Sequence, residues 1–254
     1  VEVPKEYGGT GLDYETTAMI FEELAKVDAG YAITFVTTFV ALRNVILAGT
    51  PEQAQYFADV VKQRQFAAFA LTEPNAGSDV ASLRSTAVET EEGYLLNASK
   101  TFITNGGLAQ IYIVFCKTNP EAGAHGITAF IVDRNMPGVK VGAEEDKMGL
   151  RLSNTELILD NVIVPKNRVL GKVGEGMKLA LNALNLSRAF VCTMGVGIMQ
   201  RALDEALAYA KERKQFDKPL ASFQLVQGLL ADMAIKTEAS RCLVNNTMRL
   251  MDAG

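Results

Sequence analysis

The stretch Leu71–Val80 reads LTEPNAGSDV, with Pro, Asn, Gly, Ser and Asp close together. Residues of these types favour turns, because Gly tolerates unusual backbone angles while Asn, Asp and Ser bond to nearby backbone groups. The apolar run FAAFA just before it is typical of a strand. Alone, the stretch is consistent with an ordinary surface turn. The alternative is a loop that offers backbone N–H groups and hydroxyls to a ligand.

Two further stretches carry polar and aromatic groups in similar settings. Lys100–Gly107 reads KTFITNGG and follows another strand-like run, YLLNAS, so that Thr72 and Thr104 each stand at the end of a predicted strand. Arg213-Lys214-Gln215-Phe216, with Gln224 after it, lies between two long helical patterns. Helix capping and packing would also explain a cation and an aromatic ring at that third place.

The hydrophobic pattern divides the chain into three zones. Residues 12–62 are predicted to be helical, with Asp13 and Thr50 as N-caps, although the β-branched segment 31–47 is ambiguous by periodicity. Short apolar or alternating runs separated by turn residues fill residues 66–165 and predict a small antiparallel barrel or sandwich. The runs are FAAFALT, STAVET, YLLNAS, IYIVFCK, ITAFIVD and ELILDNVIV. From about residue 175 the pattern is helical again.

Composition argues against several functional classes. A net charge of −4 gives no basic footprint, so nucleic acid is not an expected partner. The single histidine, His125, supports neither a histidine triad nor a multi-histidine metal site, and no metal is predicted. Because no apolar run of about 18 uncharged residues occurs, no membrane span is predicted.

The cysteines and the chain ends bear on location and completeness. Cys116, Cys192 and Cys242 are odd in number and widely spaced, which fits a reducing compartment. The start VEVPKEYGG lacks Met and a signal peptide, and MDAG ends a helical pattern, so both ends are expected to be cut from a longer protein. We expect a bacterial cytoplasm or a mitochondrial matrix.

Two glycine clusters resemble nucleotide loops but lack the required context. MGVGIMQ lies inside a helical pattern with no strand before it, so close helix packing explains its glycines better than a dinucleotide site. GKVGEG lacks the Lys-Ser/Thr pair of a phosphate loop and is predicted to be a strand-to-helix linker.

Taken together, the motifs resemble those of the acyl-CoA dehydrogenase family over nearly the whole chain. They are LTEPNAGSDV, KTFITNGG, EEDKMGLRLSNTE, VPKNRVLG and RALDEALAYAKERKQF followed by FQ. The resemblance implies an α+β multidomain fold: a helical domain over 1–64, an antiparallel β-barrel domain over 65–170 and part of a helical bundle over 171–254. It implies FAD as cofactor and conversion of an acyl-CoA thioester to a trans-2-enoyl-CoA.

The resemblance also implies roles for individual residues. The isoalloxazine ring needs an apolar slot and a few fixed polar groups at its edge. The flavin-binding residues are expected to be Phe69, Leu71, Thr72, Gly77, Ser78, Phe102, Ile103, Thr104, Arg213, Gln215, Phe216 and Gln224. Arg213 matches an arginine that reaches the FAD pyrophosphate of a neighbouring subunit, which implies a homotetramer built as a dimer of dimers.

Substrate contacts are expected at Ser78, Asn185 and Arg188. Arg188 matches an arginine near the adenine end of CoA, although it could instead pair with an acid on an adjacent helix. Asn185 departs from the family pattern, because many members carry Asp at this position.

The catalytic base is not identified in this sequence. Most members use a late glutamate, whereas some place it immediately before the arginine, where this chain has Ser187. A serine cannot serve as this base, so the base is expected beyond Gly254.

The resemblance leaves several functions open. A dehydrogenase that passes electrons to an electron-transfer flavoprotein is favoured. An enoyl-CoA reductase, an acyl-CoA oxidase and a non-catalytic flavin- or acyl-CoA-binding scaffold are the alternatives.

Overall fold

The structure is a computed structural model, and it describes residues 3–149 and 152–253. Within these residues the chain forms five α-helices. They are α1 (Tyr14–Val27), α2 (Ala29–Ala48), α3 (Pro51–Lys62), α4 (Gly176–Glu212) and α5 (Gln224–Ala253). The chain separates into two compact units: residues 1–11 with 34–187, and residues 12–33 with 188–254. Since α2 and α4 each continue from one unit into the other, these units differ from the three predicted domains, whose boundaries stay a prediction.

Both predicted helix starts are confirmed. The Asp13 carboxylate accepts a hydrogen bond from the Thr16 N–H at 2.7 Å. At α3, Thr50 and Gln53 form a reciprocal capping box, with Pro51 at the first helical position. Such caps satisfy backbone N–H groups that the first helical turn leaves free.

The ambiguous segment 31–47 lies within α2, so tertiary packing overrides the strand preference of its β-branched residues. Ala41, Leu42 and Val45 of this helix are buried in the core of the first unit. By length and hydropathy alone, α2 and α4 would be able to cross a membrane. This is weak evidence, because core helices pass the same test, and 50% and 44% of the two apolar windows are buried inside the protein.

The first unit contains a sheet of eight strands. They are β1 (Phe66–Ala70), β2 (Thr86–Glu89), β3 (Tyr94–Thr104), β4 (Ala109–Lys117), β5 (Ile127–Asp133), β6 (Val139–Glu144), β7 (Asn154–Val164) and β8 (Val169–Leu170). The hydrogen-bonded order is β6-β7-β3-β2-β4-β5-β8, with β1 also pairing to β4. The predicted antiparallel arrangement is confirmed for most pairs.

Three details of the sheet differ from the prediction. Strand β1 is parallel to β4, because the chain crosses back through β2 and β3 before β4 begins. Strand β2 also meets β4 in parallel, through one residue pair. Strands β6 and β8 were not predicted, since VKVGAE is only weakly apolar and VL is too short to show a pattern.

Alternation along β4 divides the core of the first unit into two clusters. Ile111, Ile113 and Phe115 join a cluster that includes residues of α2, α3 and the start of α4. Tyr112, Val114 and Cys116 point the other way, into a cluster formed by the strands. Successive side chains on a strand face opposite ways, so one strand serves both cores.

The second unit packs α1 with α5 and the later part of α4. Phe190 makes edge-on ring contacts with Tyr14 and Phe21 at centroid distances of 6.1 and 5.5 Å. A Cβ added at Gly197 would lie 2.4 Å from the Glu22 carbonyl oxygen, which supports the prediction of close helix packing for this glycine. A Cβ at Gly195 would meet nothing within 4 Å.

Candidate functional site

A buried ion pair joins the loop that follows β1 to strand β3. The Lys100 ammonium donates to the Glu73 carboxylate at 2.7 Å, and both side chains are almost completely buried. The same ammonium donates to the carbonyl oxygens of Leu71 at 3.2 Å and Phe115 at 2.6 Å. Since an ammonium has three N–H donors, every donor of Lys100 is used.

The Glu73 carboxylate accepts three hydrogen bonds besides the one from Lys100. The donors are the Arg84 N–H at 2.6 Å, the Ser85 N–H at 3.1 Å and the Ser85 hydroxyl at 2.5 Å. Burial alone would raise the pKa of Glu73. The Lys100 charge and these hydrogen bonds outweigh burial, so the pKa lies below its ordinary value of 4.5.

The ion pair was not predicted as part of the site, although the sequence carries a signal for it. Tyr94, Leu96 and Ala98 are the inward residues of β3, and Lys100 falls at the next inward position. A lysine in register with buried positions requires a partner inside the protein.

Hydrogen bonds hold the backbone at Thr72 and at the residue before it. Its carbonyl oxygen accepts the Thr101 N–H at 3.0 Å, and the preceding carbonyl, of Leu71, is held by Lys100. Among the described residues, the hydroxyls of Thr72, Ser78 and Thr104 have no hydrogen-bond partner. Both Thr72, two residues after β1, and Thr104, the last residue of β3, are half-buried. A half-buried hydroxyl without a protein partner is free to bond to a ligand or to water.

Phe102 is exposed because β3 is irregular at this place. The register of β3 against β7 shifts between Lys100 and Ile103, and Phe102 has φ of 55°. A bulky residue rarely adopts this left-handed conformation, so the surrounding structure must impose it. Phe102 is 61% exposed, whereas Ile103 next to it is buried in the strand core.

The remaining predicted residues of this region differ in what they offer. Phe69 is half-buried and packs on Phe115, with ring centroids 5.0 Å apart. Leu71 is buried in the core shared with the helices, so it and Ile103 have mainly their backbone groups for a ligand. Gly77 is exposed, and a Cβ there would meet nothing within 4 Å. The fold itself therefore does not require a glycine at position 77.

The residues after Thr104 attach this end of β3 to α2. The Asn105 side-chain amide donates to the carbonyl oxygens of Thr34 and Ala67 at 2.8 and 3.1 Å. A Cβ added at Gly106 would lie 2.2 Å from the Thr155 hydroxyl oxygen. The sequence places Asn105 in a turn between two strands and does not indicate these contacts, because they join segments far apart in the chain.

The motif VPKNRVLG, also in this unit, lines a groove of about 530 Å³ together with Thr50, Glu52, Gln53 and Tyr56. Arg168 stacks over the Tyr56 ring at 4.0 Å and pairs with Asp133 at 3.1 Å. Burial raises the pKa of Tyr56, and its hydrogen bond to Asp133 raises that pKa further. These groups satisfy one another, and the cluster is interpreted as structural.

Of the three predicted substrate residues, Asn185 and Arg188 lie on α4, whereas Ser78 is exposed in the loop after β1. Asn185 and Arg188 are both exposed and three residues apart, on one side of the helix. Asn185 belongs to the first compact unit and Arg188 to the second. Ser187 between them is buried and donates to the Leu184 carbonyl at 2.9 Å, so it has the bonding of a helix residue.

The third motif forms a short hairpin in the second unit. Strands β9 (Lys214–Gln215) and β10 (Lys218–Pro219) pair around Phe216 and Asp217, whose φ values are 52° and 61°. Positive φ at both central residues is the requirement of the tightest hairpin turns. Phe216 is 88% exposed, and Arg213, Gln215 and Gln224 are exposed beside it.

Comparison with family models assigns three consecutive regions of the chain. The acyl-CoA dehydrogenase N-terminal domain matches residues 1–62, the middle domain residues 68–162 and the C-terminal domain residues 174–254. Leu150 and Arg151 of the motif EEDKMGLRLSNTE fall in the middle region but lie outside the described residues.

Curated relatives match all or nearly all of this chain. An acyl-CoA dehydrogenase of Bacillus subtilis is 44% identical over 100% of this chain and 68% of its own length. The caffeyl-CoA reductase-Etf complex subunit CarC of Acetobacterium woodii is 41% identical over 99% of this chain and 67% of its own length. Across eight such relatives, the chain spans between 61% and 68% of their length.

Solved structures agree with this similarity. Butyryl-CoA dehydrogenase from Megasphaera elsdenii superposes with a TM-score of 0.97 at 41% identity, over 100% of this chain and 68% of that chain. An acyl-CoA dehydrogenase from Bacillus anthracis complexed with FAD gives 0.93 at 38% identity, over 99% of this chain and 44% of that chain. On these grounds the chain belongs to the acyl-CoA dehydrogenase family, a family of oxidoreductases.

Proposed function

We propose that this chain binds FAD at the edge formed by Thr72 and Thr104 and supports the α,β-dehydrogenation of an acyl-CoA thioester. The observation that carries the proposal is the pair of half-buried hydroxyls without partners among the described residues, at strand ends tied together by the bond from the Thr101 N–H to the Thr72 carbonyl. An isoalloxazine ring has several polar atoms along its edge and an apolar face. These residues offer groups that complement both.

FAD, when bound, supplies the acceptor for the hydride that leaves Cβ of the acyl group. Thr72 and Thr104 hydrogen-bond to the ring edge and orient the ring. Phe102 and Phe69 offer aromatic surface, and Leu71 and Ile103 contribute backbone groups. Gly77 and Ser78 lie on the exposed part of the loop, where a hydroxyl and an uncrowded backbone suit a pyrophosphate or the CoA arm.

The hairpin of the second unit is proposed to serve a different copy of the protein. Arg213, Gln215, Phe216 and Gln224 would contact the FAD of a neighbouring subunit within a homotetramer. A charge-assisted bond from Arg213 to the pyrophosphate would contribute about 1.5–3 kcal/mol. Their shared exposure on one short segment supports this assignment.

For the substrate, Ser78, Asn185 and Arg188 are proposed to contact the CoA portion. The guanidinium of Arg188 suits the CoA end because its charge complements phosphate. The electron acceptor is proposed to be an electron-transfer flavoprotein, in a bacterial cytoplasm or a mitochondrial matrix.

The test is anaerobic reduction of the purified yellow protein by a panel of acyl-CoA thioesters. We expect loss of the flavin absorbance with at least one saturated thioester, and loss of tight FAD binding in the Thr72→Val and Thr104→Val double variant. A protein that purifies without FAD and takes up none when it is added would contradict the proposal. Fast reaction of the reduced flavin with oxygen would instead indicate an oxidase.

The second candidate is the reverse net reaction, reduction of an enoyl-CoA. It is supported by the similar identities to the Bacillus subtilis dehydrogenase and the Acetobacterium woodii reductase subunit, 44% and 41%. Direction is decided by measuring the flavin reduction potential with substrate and product bound. Rapid oxidation of the reduced protein by enoyl-CoA, without bleaching of the oxidised protein by any saturated thioester, would favour the reductase. A full-length protein inert to both thioester types would indicate a binding scaffold.

A further inference from the structure

The buried pair Glu73–Lys100 demands an explanation beyond stability. Removing two charges from water is unfavourable, and apolar residues in the same place often give an equally stable protein. Here both side chains are almost completely buried. Every donor of Lys100 is bonded, and the Glu73 carboxylate accepts four hydrogen bonds. A buried network in which every polar group is hydrogen-bonded favours a single local arrangement of the backbone.

The network joins four separate segments of the chain. Lys100 lies in β3 and binds carbonyl oxygens at the exit of β1 and within β4. Glu73 binds the backbone at Arg84 and Ser85, just before β2. The point where these segments meet is the backbone around Thr72, since Leu71 and Glu73 on either side of it are both members of the network.

Strand β3, which carries Lys100, also carries Thr101 and Thr104. Thr101, next to Lys100, donates its N–H to the Thr72 carbonyl at 3.0 Å. Thr104 lies three residues further along β3. A displacement of Lys100 would therefore shift both strand ends that carry the unpaired hydroxyls. The pair is also neutral as a whole, so it holds the backbone without adding net charge.

We propose that Glu73 and Lys100 are positioning residues that hold Thr72 and Thr104 at the spacing required to bind the edge of the isoalloxazine ring. The inference rests on the proposed FAD site. Neither residue touches the flavin: each acts through the backbone of its neighbours. Ser85 belongs to the same hydrogen-bond network, because its hydroxyl and its N–H both donate to one carboxylate oxygen of Glu73.

The experiment is titration of FAD into flavin-free protein, followed by flavin fluorescence and by the visible absorption spectrum. The variants are Lys100→Met, Glu73→Gln and the milder Ser85→Ala, which removes one hydrogen bond without leaving a charge unpaired. Lys140→Met is the matched control, because Lys140 pairs with Asp160 in an exposed ion pair of the same sheet. Val162→Ala controls for lost stability, because Val162 is buried in the strand core.

We expect the dissociation constant for FAD to rise roughly tenfold or more in Lys100→Met and Glu73→Gln, and by a smaller factor in Ser85→Ala. The flavin absorption bands should shift in all three, because the hydrogen bonds to the ring edge change. Lys140→Met should match the wild type, and Val162→Ala should lower thermal stability without shifting the bands.

Wild-type affinity and spectra in Ser85→Ala and in folded Lys100→Met would overturn the inference while leaving the FAD site intact. If Lys100→Met and Glu73→Gln do not fold, Ser85→Ala decides: unchanged bands would reject the positioning role. A band shift in Val162→Ala equal to that of Ser85→Ala would also reject it, because loss of stability would then suffice. Failure of the wild type to bind FAD would overturn both the inference and the proposed function.

Discussion

The loop Leu71–Val80 is anchored by the buried ion pair between Glu73 and Lys100. The hairpin around Phe216, in contrast, is exposed throughout residues 214–218. The first region has bonds from four segments to fix two hydroxyl-bearing strand ends. The second has a two-residue turn and a ring contact between Phe216 and Phe223 at 6.3 Å. The two segments proposed to bind FAD therefore differ in how many contacts within the chain fix their conformation.

The difference indicates which residues carry a structural cost when they are changed. Substitutions in the buried network should affect the stability of the protein itself, while those in the hairpin should affect mainly what it binds. The following predictions test this contrast, beginning with the largest expected effect.

Removing the ammonium should cause the greatest loss of stability. Lys100→Met leaves Glu73 buried without its cation, and breaking a buried pair costs about 3–5 kcal/mol. Chemical denaturation should show this loss in the free energy of unfolding. Lys140→Met, in an exposed pair, should be indistinguishable from the wild type. Equal effects in the two variants would remove the contrast.

Cys116 should be protected from alkylation in the native protein. Burial raises the pKa of its thiol from 9.0 to about 11, which alone lowers the thiolate fraction about a hundredfold. In the Cys192→Ala, Cys242→Ala background, labelling at mildly alkaline pH should follow unfolding and accelerate in Lys100→Met. Rapid labelling of the native background protein would show that the interior near Lys100 opens readily.

The contribution of Glu73 should depend on pH. The pKa of Glu73 in the folded protein lies below its ordinary value of 4.5. Ionisation of Glu73 therefore stabilises the folded state fully at pH values above 4.5. The contribution is lost as pH falls through the lower folded-state pKa. The difference in unfolding free energy between the wild type and Glu73→Gln should therefore be greatest above about pH 5 and shrink on acidification. A difference that stays constant down to strongly acidic pH would contradict this.

A smaller difference in stability is expected between two variants of the hairpin. Asn adopts the left-handed conformation of residue 216 more readily than Ala does, so Phe216→Asn should be more stable than Phe216→Ala by about 1 kcal/mol. Both variants lack the ring, and both should bind FAD more weakly if the hairpin contacts it. Thermal denaturation and FAD titration separate the two effects. Identical stability in the two variants would show that the turn is not strained.

The sequence predicts the strands and helices that have strong patterns, and it fails where structure depends on distant segments. The cap at Thr50 and the alternation in β3 are local and were predictable. The parallel pairing of β1 with β4 was not, because strands of similar composition pair either way. Segment 31–47 stayed ambiguous, since its apolar residues suit a buried helix and a buried strand equally.

The candidate site shows the same limit. Thr72 and Thr104 stand in motifs that indicate a ligand, and a backbone hydrogen bond joins Thr72 to Thr101, three residues before Thr104 in β3. Their supporting contacts were missed, because the partners of Lys100 come from β1, the loop after it and β4. Asn105 was missed for the same reason, since its amide reaches α2 and β1.

The crowding at Gly106 has a consequence for large-scale mutagenesis. Any side chain there would collide with the Thr155 hydroxyl oxygen and the Ile103 carbonyl, at 2.2 and 2.8 Å from the added carbon. In a library selected only for cellular abundance, substitutions at this position should already be depleted. Intolerance at Gly106 would therefore report on whether the polypeptide survives in the cell, and it should not be counted as evidence for turnover.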